Sequence, residues 1–382
     1  MAQERDGLLR LLYVTIFLIS TSFGAATFLL PVYAAELGAS YVALGGMGAI
    51  GAGIYMVMTL VSGFLLDMFD RGKLYLVFSV TGAGVVLLFS AATSVRDLMM
   101  LRGLLGVVSA MFFTTANTLV ADISPLEVLT RSIGRYNLSW IAGFIAGPFL
   151  GGLISERFGF PILFVIMAIL IAVSCPVIWK GLVVKARAGN VSGRQGFDAS
   201  ALKGLWATYL MILPYGAALG VYMSILPGQM RALGIVPSVI GLMLTMTNGM
   251  RGVGFFNVER FVDWGERRSL RLASCLMCAA LLILAFSRTI PSFIIPLVMF
   301  GLSGGILTPL IQNTIARSSP RHVLGMAMAL NESMYGVTMF IGPLVGGILA
   351  EVFQPTTLYL SLAGLSLVIL PLSFMSGVAE SS

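Results

Sequence analysis

Charge is what this sequence has least of. Only 10% of its 382 residues are Asp, Glu, Lys or Arg, against 58% that are hydrophobic, whereas a soluble domain carries about 25% charged residues. Too few charges remain to cover a water-exposed globule, which excludes soluble enzymes, nucleic-acid binders and disordered scaffolds. Histidine occurs once, at His322, and cysteine three times, at Cys175, Cys275 and Cys278, all in apolar stretches. The Cys275-x-x-Cys278 pair has no histidine or second pair nearby, which leaves packing or lipid-facing thiols and no metal or redox site. Gly46-Met47-Gly48-Ala49-Ile50-Gly51 matches GxGxxG in letters but sits inside an apolar run with no preceding strand, so it is helix packing. Neither a Walker loop, an HExxH nor a nucleophile elbow is present, and no cofactor is implied.

What is present is apolar length. The mean hydropathy is +0.97, and the charges fall in short clusters between long apolar runs. A helix needs about 20 residues to cross the hydrocarbon core. Twelve runs qualify, at 9–33, 40–66, 74–93, 97–122, 131–155, 159–180, 204–230, 236–258, 269–287, 291–316, 323–349 and 354–376. The first lacks a convincing cleavage site and reads as a retained span. Twelve spans put both termini on one side. If that side is the cytoplasm, seventeen of the basic residues lie in inside segments and four (Arg96, Arg157, Arg231 and Arg288) outside. The positive-inside rule therefore predicts a multi-pass protein of the inner, cytoplasmic membrane with both termini cytoplasmic. The net charge of +7 reports topology, not a nucleic-acid partner.

The longest polar stretch, 181–203, predicts a cytoplasmic linker between two six-helix bundles, 1–180 and 204–382. The halves repeat one another. Gly147-Pro148-Phe149-Leu150-Gly151-Gly152 recurs as Gly342-Pro343-Leu344-Val345-Gly346-Gly347, and Ser124-Pro125 as Ser319-Pro320, both 195 residues on. Asp67 recurs as Asp263 and Arg71 as Arg267, 196 on. A duplicated six-helix unit predicts an all-α secondary transporter whose site lies between the halves near the midplane.

Gly63 through Lys73, reading GFLLDMFDRGK, resembles motif A of the major facilitator superfamily. Arg102-Gly103-Leu104-Leu105-Gly106 resembles its motif B, with Leu105 in the usual glutamine position. Gly134, Gly143 and Gly147-Pro148-x-x-Gly151-Gly152 are similar to the antiporter motif C. The resemblance covers the whole chain. It implies that Asp67, Asp70 and Arg71, with Asp263 and Arg267 in the second half, latch one access state. It also implies that Gly143, Gly147, Pro148 and Gly151, with Gly342 and Pro343, form a hinge and seal favouring export. The bland readings are a topology-satisfying turn and ordinary small-residue packing.

Ionisable groups inside spans are costly and are functional candidates by default. Three qualify as coupling groups: Glu332, Arg102 and Arg251. Both arginines lie near enough to a span end to snorkel, whereas Glu332 is deep and short. A structural Glu332–Arg251 pair is the competing explanation. Polar and aromatic groups on the spans that line the cavity in the family add Asn117, Tyr136, Asn137, Tyr215, Tyr222, Asn248, Gln312 and Tyr335. The sequence thus predicts a monomeric carrier in the lipid bilayer that moves a small molecule by alternating access. Its preferred mode is export of an apolar or amphipathic compound driven by the proton gradient. Uptake or facilitated diffusion of a small polar metabolite is the alternative, and a non-transporting receptor or lipid scramblase a more distant one.

Overall fold

Proline and polar turns divide the twelve apolar runs into fifteen α-helices among the described residues of the computed structural model, which are 2–125, 128–183, 205–319 and 324–375. The first six runs are α1 (Ala2–Glu36), α2 (Tyr41–Met68), α3 (Arg71–Leu88) with a closing 3-10 turn, α4 (Val95–Ile123), α5 (Leu129–Phe158) and α6 (Phe160–Ile178) with a closing π turn. The seventh run is broken into α7 (Trp206–Leu210) and α8 (Ile212–Ala232), and the eighth into α9 (Pro237–Phe256) and α10 (Val258–Asp263). α11 (Glu266–Phe286), α12 (Ile290–Ser318) and α13 (Leu324–Phe353) are continuous, and the last run is α14 (Pro355–Ser366) plus α15 (Ile369–Met375). Two breaks have a direct cause. Pro214 and Pro371 have no N–H for the carbonyls of Leu210 and Leu367, and their rings crowd those carbonyls. The helices stop there. The chain is helical throughout its described spans, with no strand among them.

Among the described residues, eleven helical segments are long and apolar enough to cross a membrane. The twelfth span, on α9, falls short because Asn248 and Arg251 lie within it. Large apolar side chains stand fully outward on many of these helices, among them Leu60, Phe64, Phe256 and Ile295. A surface of that kind is covered by lipid, not water. The repeat is also visible in the helix caps. Ser94 and Asp97 form a capping box at the start of α4, and Thr289 and Ser292 one at the start of α12, 195 residues on.

The helices group into two compact units. Unit 1 comprises Met1–Ala39, Ile50–Ser192 and Met230–Thr245; unit 2 comprises Ser40–Ala49, Gly193–Gln229 and Met246–Ser382. Each unit is therefore most of one repeat plus a short helical segment from the other. The core of unit 1 is aromatic, with Phe23, Phe112, Phe164 and Tyr75 almost fully buried, and Tyr75 bonded to the Thr15 hydroxyl at 3.0 Å. In unit 2, buried Tyr359 donates to buried Gln229 at 2.6 Å.

Candidate functional site

The glycines of the GPxxGG segments act on two faces of one helix. On one face of α5, Gly143 and Gly147 meet the α1 backbone, so that a Cβ on Gly147 would lie 2.6 Å from the Ala25 nitrogen and one on Gly143 2.8 Å from the Thr21 nitrogen. On another, a Cβ on Gly152 would lie 2.6 Å from the Pro237 oxygen at the start of α9, and Gly241 abuts the Pro148 carbonyl. Unit 2 repeats both contacts. A Cβ on Gly342 would lie 2.6 Å from the Ala217 oxygen of α8, and one on Gly347 2.6 Å from the Tyr41 oxygen of α2. Gly151 instead faces side chains, and a Cβ on it would lie 2.6 Å from Leu29 Cδ1 and 3.1 Å from Ala25 Cβ. No side chain fits at these crossings.

Acidic groups close the helix ends beside them. Glu156 accepts from Ser238 N at 3.1 Å and so caps α9, while Glu351, 195 residues on, accepts from Tyr41 N at 2.7 Å and caps α2. A carboxylate at a helix N-terminus satisfies a free N–H and meets the positive end of the helix dipole. Glu36 and Arg231, themselves 195 residues apart, join the ends of α1 and α8 at 2.9 Å.

The opposite helix ends carry the motif A residues. Arg71, the first residue of α3, pairs with Asp122 at the end of α4 inside the same repeat. Asp70 caps α3 by accepting from Lys73 N at 2.9 Å. The side chain of Asp67 lies outside the described residues, as do His322 and nearly all of the 181–203 linker. In the second repeat the register moves by one residue: α11 opens on Glu266, 195 from Arg71, while Arg267 is half-buried behind it and Asp263 is exposed at the end of α10. Buried Glu266 accepts from Asn313 at 2.6 Å and Thr314 at 3.3 Å, and pairs at 3.5 Å with Arg317. Arg317 is 195 from Asp122. The two repeats therefore tie the same helix ends with the signs of the charges exchanged. The sequence reading missed Asp122, Glu266 and Arg317 because it matched like residue with like.

Inside the spans, unit 2 gathers most of the expected residues. The Arg251 guanidinium lies 5.7 Å from the Tyr215 ring centre and 5.3 Å from that of Phe255, within hydrogen-bonding reach of Tyr335. Tyr215 stacks on Tyr335 at 6.3 Å and meets Phe300 at 5.8 Å, and Tyr222 meets the same Phe300 at 5.5 Å. Glu332 stands exposed on its helix within a span, accepts from Gln312 Nε2 at 3.2 Å, and lies within electrostatic range of Arg251 without a direct ion pair. Asn248 lies one turn before Arg251 on α9. Phe255 and Phe300 complete the cluster, and a 3.6-residue spacing from Arg251 and Gly304 was the available signal for them.

Unit 1 holds the repeat mates of this cluster in neutral form. Asn117 and Asn137 stand where Gln312 and Glu332 stand in unit 2. Both are exposed; Asn137 accepts from the Trp140 indole at 3.1 Å, and no bond joins it to Asn117. Trp140 in turn packs edge to face on Phe113 and Phe144, and the Tyr136 hydroxyl donates to the Phe113 carbonyl at 3.2 Å. Arg102 stands apart from this group, against Gly51 of α2.

Comparison with known proteins agrees with this architecture. Residues 12–214 and 208–380 each match the sequence model of the Major Facilitator Superfamily. The multidrug resistance protein MdtG of Yersinia enterocolitica is 26% identical over 364 residues, 88% of this chain and 86% of its own. The uncharacterized MFS-type transporter YuxJ of Bacillus subtilis is 25% identical over 321 residues, 78% of this chain and 80% of its own. Among solved structures, a bacterial homolog of the human lysosomal transporter Spinster, inward-facing and occupied, superposes with a TM-score of 0.79 at 13% identity, covering 97% of this chain and 96% of its own.

Proposed function

Because the chain belongs to the major facilitator superfamily of membrane transporters and not to an enzyme family, we propose that it exports an apolar or amphipathic compound across the cytoplasmic membrane in exchange for protons. In this reading α1 begins on the cytoplasmic side, as the distribution of basic residues implies. The observation that carries the coupling is Glu332, an exposed acid on a membrane-spanning helix, hydrogen-bonded to the Gln312 amide and in the field of Arg251. An acid so placed can take up a proton in one access state and give it back in the other. Arg251, bedded in aromatic rings, supplies a fixed positive charge nearby. Export as the direction is supported by the GPxxGG packing of α5 on α1 and by the similarity to MdtG.

The test uses the full chain in proteoliposomes with a panel of apolar and amphipathic compounds. Wild-type protein should drive uphill movement only under an imposed pH gradient. Glu332→Gln should abolish that accumulation while energy-independent exchange continues. Accumulation by the Glu332→Gln protein at the wild-type level would assign the acid a structural role. Gradient-independent flux of small polar metabolites would favour facilitated diffusion instead.

A further inference from the structure

We propose that Arg102 is the docking point for the anionic headgroup of an amphipathic substrate, an assignment that rests on the transport reading above and narrows its substrate class. Arg102 sits seven residues into α4, about 10 Å along the helix from its first residue. A cation at that depth needs a partner or a function. Among the described residues it has neither a hydrogen bond nor an ion pair. Asp97, the acid nearest on its own helix, is occupied in the capping box with Ser94. Asp122 is held by Arg71, Glu36 by Arg231 and Glu156 by the start of α9. Asp67 lies sixteen residues beyond Gly51, about 24 Å along α2.

The side chain is nevertheless seated, not splayed toward a span end. A Cβ on Gly51 would lie 2.6 Å from Arg102 Nε and 2.7 Å from Cζ, so the missing side chain of Gly51 makes the slot in which the guanidinium rests. Ile50 and Ile54 face Gly103 beside it, giving the slot apolar walls. The fold itself does not require a cation here. The repeat mate of Arg102 is Leu297 of α12, which is 1% exposed in an ordinary apolar contact. A planar guanidinium with apolar walls suits a carboxylate, sulfonate or phosphate attached to a hydrophobic body, because its N–H fork binds two oxygens at once.

Equilibrium binding to the full chain in nanodiscs tests this with three matched probes: naphthalene-2-sulfonate, neutral 2-naphthalenemethanol and 2-naphthyltrimethylammonium. The sulfonate should bind wild-type protein most tightly. Arg102→Leu should weaken sulfonate binding by about tenfold to a hundredfold, leave the neutral probe unchanged, and raise the melting temperature of the ligand-free protein, as Leu297 suggests. Arg102→Lys, which keeps the charge but not the fork, should fall between. Equal sulfonate affinity in wild type and Arg102→Leu, or a lower melting temperature in Arg102→Leu, would overturn the assignment. Sulfonate binding in phosphatidylcholine nanodiscs that disappears in phosphatidylglycerol would assign the slot to lipid headgroups and overturn the substrate role. Gradient-driven efflux of the neutral or cationic probe without sulfonate binding would defeat this assignment while leaving the export reading intact.

Discussion

The two arginines inside the spans occupy opposite surroundings. Arg251 of unit 2 is bedded on Tyr215 and Phe255, within reach of Tyr335 and in the field of Glu332. Arg102 of unit 1 has only the backbone notch at Gly51. Neither has a cation as its repeat mate: Met56 stands 195 residues before Arg251, and Leu297 the same distance after Arg102. Elsewhere the repeats agree in what they do even where they differ in letters. Arg71–Asp122 and Glu266–Arg317 tie equivalent helix ends with the charges exchanged. Glu156 and Glu351 cap α9 and α2 alike. Agreement between repeats therefore marks what the fold needs, and disagreement in charge marks what it can do without. By that criterion Arg102, Arg251 and Glu332 are functional candidates, while Arg71 and Arg317 each tie helix ends within their own repeat.

The largest effect should come from breaking a shared feature. Gly147→Leu and Gly342→Leu should each abolish transport, since even a methyl group would press on the backbone of α1 or α8 at less than contact distance. Insertion and expression should survive better than flux, because apolar side chains are tolerated by the membrane. Flux measured at matched expression checks this. Silence of Gly342→Leu beside a dead Gly147→Leu would show that the two crossings, alike in geometry, are unlike in function.

The exchanged ion pairs allow a graded comparison. Arg71 and Asp122 side chains are 10% and 11% exposed, whereas Arg317 is 64% exposed beside a buried Glu266. Removing one partner of a buried pair strands the other and costs about 3–5 kcal/mol; an exposed partner contributes about 0–1 kcal/mol. Arg71→Ala should thus destabilise the protein several times more than Arg317→Ala in thermal denaturation. The double exchange Arg71→Glu with Asp122→Arg should recover much of the loss, since the second repeat already uses those signs. Failure of the exchange to rescue would mean that the sign, and not merely the pairing, matters in the first repeat.

Much of this was legible in the sequence, and the reason the rest was not is physical. Span positions followed from apolar length, and the GPxxGG crossings from glycine spacing. The Arg71 partner was hidden because an ion pair is as stable with its charges exchanged, so selection can reverse the signs and erase the letter match. That same exchange drew the repeat register of Arg71 toward Arg267, one residue past Glu266. The α9 span was counted correctly from its flanks, although Asn248 and Arg251 lower its hydropathy below that of its eleven neighbours. Helix breaks at Leu210 and Leu367 were readable from Pro214 and Pro371. Glu36–Arg231 was not, because it joins residues 195 apart that no local pattern links.

The smallest effect concerns a turn that the repeats share in shape but not in residue. Gly159 closes α5 with φ +85° and ψ 162°, and Gln354, 195 residues on, closes α13 with φ 92° and ψ 154°. Backbone in that region is nearly exclusive to glycine, and a side chain held there costs about 1–3 kcal/mol. Gln354 is the only non-glycine with positive φ among the described residues. Gln354→Gly should relieve that strain, with about 0.4–1 kcal/mol of the gain offset by the greater freedom of glycine in the unfolded chain. Gly159→Gln should impose a comparable strain on the first repeat. Melting temperatures in detergent should therefore rise for the first variant and fall for the second, with transport unchanged in the first. A lower melting temperature for Gln354→Gly would show that the Gln354 side chain makes a contact worth more than the strain, and that the likeness of the two turns ends at the backbone.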